Sequence, residues 1–289
     1  MTVPSGNGFL PSYLQGMTQP TLYIPHGGGP CFFLNEDGSC PPMWRAMQDY
    51  LANLISSLAE RPKAILLVSA HWAEPQFTVH VGERPGLLFD YYGFPQHTYD
   101  LRWDAPAAPD VARRAGQLLQ QAGFQTAEES ERGWDHGVFI PMMVALPDAD
   151  IPVAQLSLCV PNRHADYDPA LHIRAGQALA PLRDEGVLII GSGMSFHNLR
   201  LMGAPVEHVS EAFDEALTGI VTLPGAQDRN AALVSWTDLP HARTAHPPHG
   251  GEDHLIPLMV AAGAAGEDIG VRTYKDSVLG WTVSGYQFG

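Results

Sequence analysis

Histidine is the residue type through which this sequence could do chemistry. Among thirteen histidines, three come after apolar segments that have the composition of buried strands: TLYIP precedes His26, AILLVSA precedes His71, and VLIIGSGMSF precedes His197. Open α/β sheets bind ligands at the carboxyl ends of their strands, so these imidazoles are expected to meet at one edge of a sheet. Because neutral imidazole is a common metal ligand, the pattern predicts a metal site there.

Two further histidines have comparable surroundings. His254, in EDHLIPLMVA, opens an apolar helix, and His136, in GWDHGVFIP, lies in a glycine-flanked loop before another apolar segment. A single histidine beside a strand is more often a hydrogen-bonded core residue than a ligand. The repeated placement after buried strands favours a metal site for the first three, whereas His254 taken alone is equally compatible with packing at the start of a helix.

The donor set narrows the choice of metal and of reaction. Imidazoles suit zinc and iron, whereas magnesium and calcium prefer oxygen ligands, and the spacing does not separate zinc from iron. The sequence contains no HExxH, so zincin-type hydrolysis has no support. No GxSxG follows the HGGGP turn to supply a serine nucleophile, which also removes serine hydrolysis.

The elements that would position these histidines alternate along the chain. Short apolar runs bounded by glycine and proline predict buried strands over 21–24, 64–69, 153–158 and 187–191. Helical periodicity predicts helices over 43–58, 109–122, 168–183, 206–222 and 254–262, and residues 85–109 read as a long aromatic loop. This alternation predicts a single α/β domain with a mostly parallel central sheet flanked by helices, and a metal site at the strand carboxyl ends.

Composition bounds the class of protein. The 289 residues, 45% of them hydrophobic, can bury one large core, which is expected over residues 20–289 after a flexible extension of residues 1–19. The formal charge of -15 argues against nucleic acid and anionic membranes as partners. Three cysteines without CxxC, together with the lack of a signal-like start or a long apolar run, predict a cytoplasmic protein.

Several segments, in a consistent order, resemble one known family. The segments are IPHGGGP, LLVSAHW, YYGFPQHTYDLRW, GWDHGVFIPMMVALPDADIPVAQLSL, SGMSFHNL and EDHLIPLMVA. They are similar to the DODA-type branch of the class III extradiol ring-cleaving dioxygenases, whose fold is shared with the catalytic subunit of protocatechuate 4,5-dioxygenase. The resemblance extends over residues 20–283 and implies a metal-dependent enzyme of the same fold.

The resemblance also implies a ligand set. His26 and His71 match metal ligands of the family, and His254 matches the third-ligand position of the DODA-like branch. The protocatechuate-type enzymes place a glutamate at that position, which makes Glu252 the competing candidate. His197 matches a position that relatives use as a catalytic histidine beside the metal or as a fourth ligand.

Catalytic and substrate-binding roles follow from the same resemblance. His136 matches the other catalytic histidine and would serve as the base that deprotonates a catechol, with Asp135 as a candidate orienting partner. His197 would later return a proton. Trp72, Phe94 and Tyr99 are expected to line the pocket for the ring, although the aromatic loop is equally compatible with packing on itself.

The resulting hypothesis is a non-haem Fe(II) dioxygenase, with Zn(II) able to occupy the site in purified protein. Its substrates would be O2 and a small aromatic diol such as a DOPA-like compound, a substituted catechol or a gallate. The product would be of the muconic semialdehyde type, in the catabolism of aromatic compounds. A zinc-dependent hydrolase and a non-catalytic binding protein on the same scaffold are the alternatives, and a homodimer is the expected assembly.

Overall fold

Buried apolar runs form the centre of a sheet that contains eight strands in the described part of the chain. The computed structural model describes residues 18–162 and 165–289. The strands are β1 Thr21–Pro25, β2 Ala64–Glu74, β3 Phe77–His80, β4 Thr126–Glu129, β5 Val153–Cys159, β6 Val187–Gly193, β7 Gly270–Val278 and β8 Trp281–Phe288. Residues 1–17 of the predicted extension lie outside the described residues, whereas Gln19 is buried and donates its backbone N–H to Arg183 O at 3.2 Å.

The strand order is β4-β3-β5-β2-β6-β1-β8-β7. The neighbours β5, β2, β6 and β1 are parallel, so their carboxyl ends lie along one edge. The antiparallel hairpin of β7 and β8 extends the sheet beside β1, while β3 runs antiparallel to β5 and parallel to β4. The predicted α/β fold with a mostly parallel sheet is therefore confirmed.

Helices cover both faces of this sheet. They are α1 Arg45–Ala52, α2 Pro109–Gln121, α3 His136–Ala145, α4 Pro169–Leu179, α5 Pro181–Asp184, α6 Glu207–Val221, α7 Ala226–Val234, α8 Ala242–Ala245 and α9 Ile256–Ala264. A Cβ on Gly191 or Gly193 would collide with the chain at and just before the start of α9, whereas Ser192 between them bonds to α3. Because alternate strand residues face opposite ways, α3 and α9 lie on opposite faces of β6.

Two predicted helices differ from the structure, and one pair of strands was missed. The helix expected over 43–58 is α-helical only in α1, after a short 3-10 turn. The helix expected over 168–183 is divided at Pro181, which lacks the N–H needed to continue a helix. The C-terminal hairpin was not predicted. In the described part of the chain, no helix is both long and apolar enough to cross a bilayer.

His172 joins α4 to β5 and makes stability depend on pH. Its Nδ1–H donates to Asp168 O at 2.7 Å, and its Nε2 accepts from Cys159 N at 3.1 Å, so the buried ring is neutral. Burial lowers the pKa of His172 to about 4. The unfolded chain therefore binds a proton below pH ~6.5 that the folded chain excludes, and stability falls as pH falls from there towards the folded pKa.

We expect His172→Gln, which does not titrate, to lose less stability on acidification than the wild type. The expected difference at pH 5 is about 2 kcal/mol, measured by chemical denaturation relative to pH 7.5. The exposed His208 provides the control, since His208→Gln should follow the wild-type pH dependence. An identical acid dependence in His172→Gln and wild type would contradict the assignment.

Candidate metal centre

Five histidine side chains from distant parts of the chain form one cluster. The ring centroids of His26 and His71 are 4.9 Å apart, and each lies about 5 Å from that of His254 (5.1 and 4.8 Å). His136 lies 3.9 Å from His71, and His197 lies 3.4 Å from His254. The structure thus brings together all five histidines that the sequence singled out.

Three of these residues present nitrogen atoms to a common point. One ring nitrogen each of His26, His71 and His254 lies within 4.8 Å of the other two. The Nε2 atoms of His26 and His71 face each other at 3.1 Å. His26 and His254 are buried and His71 is partly exposed, so the point is reached from solvent beside His71.

Hydrogen bonds on the far side of two rings determine which nitrogen is free. Ser192 Oγ donates to Gly137 O at 2.5 Å, so at 3.1 Å from His26 Nδ1 it accepts that atom's proton. His254 Nδ1–H donates to Asp253 Oδ1 at 2.7 Å. In both rings Nε2 is left as a bare lone pair, the arrangement that polar partners impose on metal-binding histidines.

The cluster holds its imidazoles neutral. Burial lowers the pKa of His26, His71 and His254 well below the ordinary histidine value, and neighbouring histidines add to this effect. Neutral imidazole is the form that binds metals, and protons compete for it only at acid pH. Three neutral nitrogen donors fit Zn²⁺ or Fe²⁺, and nothing in this donor set selects one over the other.

Local backbone features place His254 and His71. Gly193 has no Cβ to collide with the carbonyl of His254, which accepts hydrogen bonds from Met194 N at 3.2 Å and Tyr23 Oη at 2.7 Å. The sequence predicted that His71 follows its strand, but it lies within β2, where the register with β5 shifts between Val68 and Ala73. Such a bulge redirects side chains, which explains why a residue inside a strand reaches the site.

His136, the first residue of α3, is held by Asp90. Asp90 Oδ1 accepts from the Nδ1–H of His136 at 2.8 Å and from its backbone N–H at 2.9 Å, which leaves Nε2 free to accept a proton. The sequence predicted that Asp135 orients His136, and this prediction is wrong. Its buried carboxylate accepts instead from Ser69, Arg132 and Gln155.

His197 stacks on His254 with an interplanar angle of 17°. Burial lowers the pKa of His197 to about 4, so the ring is neutral at pH 7. His197 also forms a candidate ligand group with Asp253 and His254. Its roles as fourth ligand or proton donor stay predictions.

Glu252, the competing candidate for the third ligand, has its carboxylate in other interactions. Its carboxylate forms an ion pair with Arg243 and accepts from Gly250 N at 3.1 Å. The groups of described residues that could hold a metal include His254 and omit Glu252. The geometry therefore favours His254 as the third ligand.

Sequence comparisons now identify the family. The family described as the catalytic LigB subunit of aromatic ring-opening dioxygenase matches residues 20–289. The chain belongs to this family. The resemblance to class III extradiol dioxygenases that the motifs indicated is confirmed.

Relatives of this LigB-family chain include proteins with assigned names. It is 38% identical over 289 residues to "Dioxygenase tasH" of Hapsidospora irregularis, covering 93% of this chain and 85% of that protein. It is 37% identical over 254 residues to "4,5-DOPA dioxygenase extradiol" of Beta vulgaris, covering 86% and 87%. The crystal structure of uncharacterized protein JW3007 from Escherichia coli K12 matches with a TM-score of 0.72 at 27% identity, covering 94% of this chain and 100% of that one.

Two cavities reach the histidine cluster of this LigB-family chain. One of about 510 Å³ borders His71 and Asp253, and Glu74, Val160 and Tyr167 form much of its wall. The other, of about 250 Å³, borders His197 and also touches Asp253. The larger cavity has room for a substituted aromatic ring beside His71.

The aromatic residues expected to form the pocket have other contacts in the structure. Among the described residues that line the two cavities, Trp72, Phe94 and Tyr99 do not occur. Trp72 Nε1 donates to Glu74 Oε1 at 2.9 Å, behind the wall of the larger cavity. Phe94 and Tyr99 pack on Tyr91, and their role in binding substrate stays a prediction.

Sequence reasoning missed the groups that orient the imidazoles. Asp253 is adjacent to His254 in EDHL, and this adjacency was a usable signal. Ser192 alternates with the glycines of GSG at the end of β6, a weaker signal. Asp90 lies 46 positions from His136, and no motif connects the two.

Proposed function

We propose that this protein is a non-haem Fe(II)-dependent extradiol dioxygenase that cleaves the ring of a catechol-type aromatic compound with O2. One observation carries the proposal: three neutral imidazoles face one point beside a fourth, carboxylate-held histidine, and one of the three, His71, borders a cavity of about 510 Å³. The names of the relatives agree with this reaction class. Its expected product is of the muconic semialdehyde type.

His26, His71 and His254 would hold the metal through the nitrogens that face one another. Bound Fe(II) would supply Lewis acidity and a redox-active path by which electrons pass from the diol, which is oxidised, to O2, which is reduced. Ser192 and Asp253 keep His26 and His254 in the tautomer that leaves Nε2 free. The protein's own contribution is therefore to keep the donors neutral, oriented and shielded from bulk water.

His136 would accept a proton from the diol. Its Nδ1–H is fixed on Asp90, so a proton taken up at Nε2 produces an imidazolium beside a carboxylate. Burial acts to raise the pKa of Asp90, but the hydrogen bonds and charges of its histidine neighbours outweigh this and lower the pKa overall. Asp90 thus remains charged and stabilises the protonated base.

His197 would donate a hydrogen bond to the oxygen atoms of the reacting substrate and stabilise the negative charge that develops there. Its ring is neutral at pH 7, and a neutral imidazole keeps one N–H to donate. It borders the smaller cavity, whereas His71 borders the larger one. Base and donor would then act from separate sides of the site.

Oxygen uptake tests the proposal. Protein loaded with Fe(II) under anaerobic conditions should consume O2 only when a catechol is added, with the appearance of a yellow semialdehyde. Zinc-loaded protein is the matched control and should consume none. Ester or amide hydrolysis by the zinc form without O2 uptake by the iron form would favour a hydrolase, and diol binding without either reaction would favour a binding protein.

Glu74 should influence which diols are accepted. Glu74 and Asp253 are the acidic groups that the described residues place on the larger cavity. A partly exposed charge contributes about 1 kcal/mol to such an interaction, or about fivefold. For Glu74→Gln we expect kcat/KM to fall about fivefold for a catechol with an aminoethyl arm and to rise for one with a carboxymethyl arm.

For the neutral 4-methylcatechol, kcat/KM should change little in Glu74→Gln, because this substrate carries no charge that could interact with Glu74. Glu267→Gln, beyond the far end of α9, removes an equal charge and should leave all three substrates unaffected. Parallel changes for the three catechols in Glu74→Gln would mean that Glu74 does not contact the substituent.

A further inference from the structure

The backbone of His71 is held by side chains, because part of it lies outside the strand pairing with β5. Pairing is continuous up to Val68 and resumes at Ala73, so residues 69–72 are skipped on that side. The N–H of His71 donates to Ser69 Oγ at 3.1 Å, and its carbonyl accepts from Arg132 Nη2 at 3.0 Å. Both polar groups of this peptide segment are thereby satisfied at the bulge.

The two groups that hold His71 meet on one carboxylate. Ser69 Oγ donates to Asp135 Oδ1 at 2.6 Å, and Arg132 Nη1 donates to Asp135 Oδ2 at 3.0 Å. Asp135 is fully buried, and Gln155 Nε2 supplies a further donor to Oδ2 at 2.7 Å. Because this one buried carboxylate accepts from both Ser69 and Arg132, it fixes the two groups relative to each other.

The same carboxylate lies at the start of α3. Asp135 immediately precedes His136, and a Cβ on Gly137 would collide with Ser69 Oγ. The start of α3 is therefore packed tightly against the bulge of β2. A single buried carboxylate in this way links the position of one candidate ligand to that of the candidate base.

We propose that Ser69, Arg132 and Asp135 form a positioning clamp that holds the His71 imidazole in the orientation needed to bind the metal. The clamp acts through the backbone of His71 and touches neither metal nor substrate. It rests on the proposed function in one respect, namely that His71 is a ligand. Side chains that orient a metal ligand without contacting the metal typically weaken metal binding by about 10- to 100-fold when they are removed.

Metal titration of five variants tests the clamp. Co²⁺ serves as the probe, with affinity from competition against a chelator and ligand geometry from the visible spectrum. Ser69→Ala and Arg132→Met should weaken Co²⁺ binding about 10- to 100-fold and alter the spectrum. Arg132→Lys keeps the charge beside Asp135 but not the forked donor, so it should give an intermediate loss.

Gln155→Met is the matched control, because Gln155 bonds to the same carboxylate and makes no hydrogen bond to His71. It should lower the free energy of unfolding while leaving Co²⁺ affinity and spectrum close to wild type. Equal losses of Co²⁺ affinity in Gln155→Met and Ser69→Ala would mean that Asp135 merely stabilises the fold, and would overturn the clamp.

His71→Ala separates the clamp from the metal site itself. If His71→Ala loses Co²⁺ while Ser69→Ala and Arg132→Met bind it within twofold of wild type, the clamp is wrong and the site stands. If His71→Ala also binds Co²⁺ normally, the proposed ligand set is wrong and the clamp has no function. Loss of Co²⁺ binding in His71→Ala, together with graded losses of affinity in the clamp variants, supports both the ligand set and the clamp.

Discussion

His26→Ala and His71→Ala are expected to abolish metal retention. Each change removes one of three nitrogens that face a common point, and a small cation held by two donors binds far more weakly. We expect the affinity for Fe²⁺ or Zn²⁺ to fall by more than about 100-fold, so that desalted protein contains substoichiometric metal by elemental analysis. Ring cleavage should be lost in parallel.

The identity of the third metal ligand can be tested with the same set of measurements. His254→Ala should lose metal as His26→Ala does, whereas Glu252→Gln should retain it, because the Glu252 carboxylate already pairs with Arg243. His208→Ala, an exposed substitution on α6, is the control for histidine removal as such. Stoichiometric metal in His26→Ala or His71→Ala would refute the ligand assignment.

The sequence predicted the central strands of the sheet correctly, because their apolar composition alone indicates that they are buried. The runs around Ile65 and Ile189 are apolar throughout because both faces of these strands are buried, and such runs predict central parallel strands. The carboxyl ends of parallel strands lie at one edge by topology, so the presence of His26 and His197 in one histidine cluster followed from the strand assignment.

The C-terminal hairpin shows where this reasoning stops. β7 alternates exposed residues with buried or partly buried ones, and it carries Lys275 on an exposed position and Arg272 on a partly buried one, so it lacks the continuous apolar run by which the central strands were found. The alternation is itself a strand signal, of the half-buried kind. Its partner β8 is buried almost throughout, but nothing in its sequence states that it pairs with β1.

The sequence predicted which histidines form the site, but not which side chains accept hydrogen bonds from their rings. Asp135 was expected to orient His136 because it is adjacent in sequence, yet consecutive residues at a helix start point in different directions. Asp90 reaches His136 because the long loop after β3 folds back over the start of α3. Pairings of this kind depend on tertiary packing, on which local sequence carries no information.

Removing the candidate base should separate metal binding from turnover. His136 contributes no nitrogen to the group formed by His26, His71 and His254, so His136→Phe should bind metal within a few-fold of wild type. Loss of a general base typically slows a reaction by about 10²- to 10⁴-fold, and kcat/KM with catechol should fall within this range. Unchanged turnover would remove His136 from the mechanism.

The choice of diol shows whether proton removal is the step affected. A nitrocatechol is already ionised near neutral pH, so it needs less help from a base than catechol does. In His136→Phe the loss of kcat/KM should therefore be much smaller for nitrocatechol than for catechol. His208→Gln, an exposed substitution on α6, is the control and should leave kcat/KM unchanged for both diols. Because Asp90 holds His136 by two hydrogen bonds, Asp90→Asn should show the same preference for nitrocatechol with a smaller overall loss. Metal content is measured alongside, because Asp90 Oδ2 also lies 3.7 Å from His71 Nδ1. Equal losses for the two diols in His136→Phe would instead assign His136 to positioning the ring.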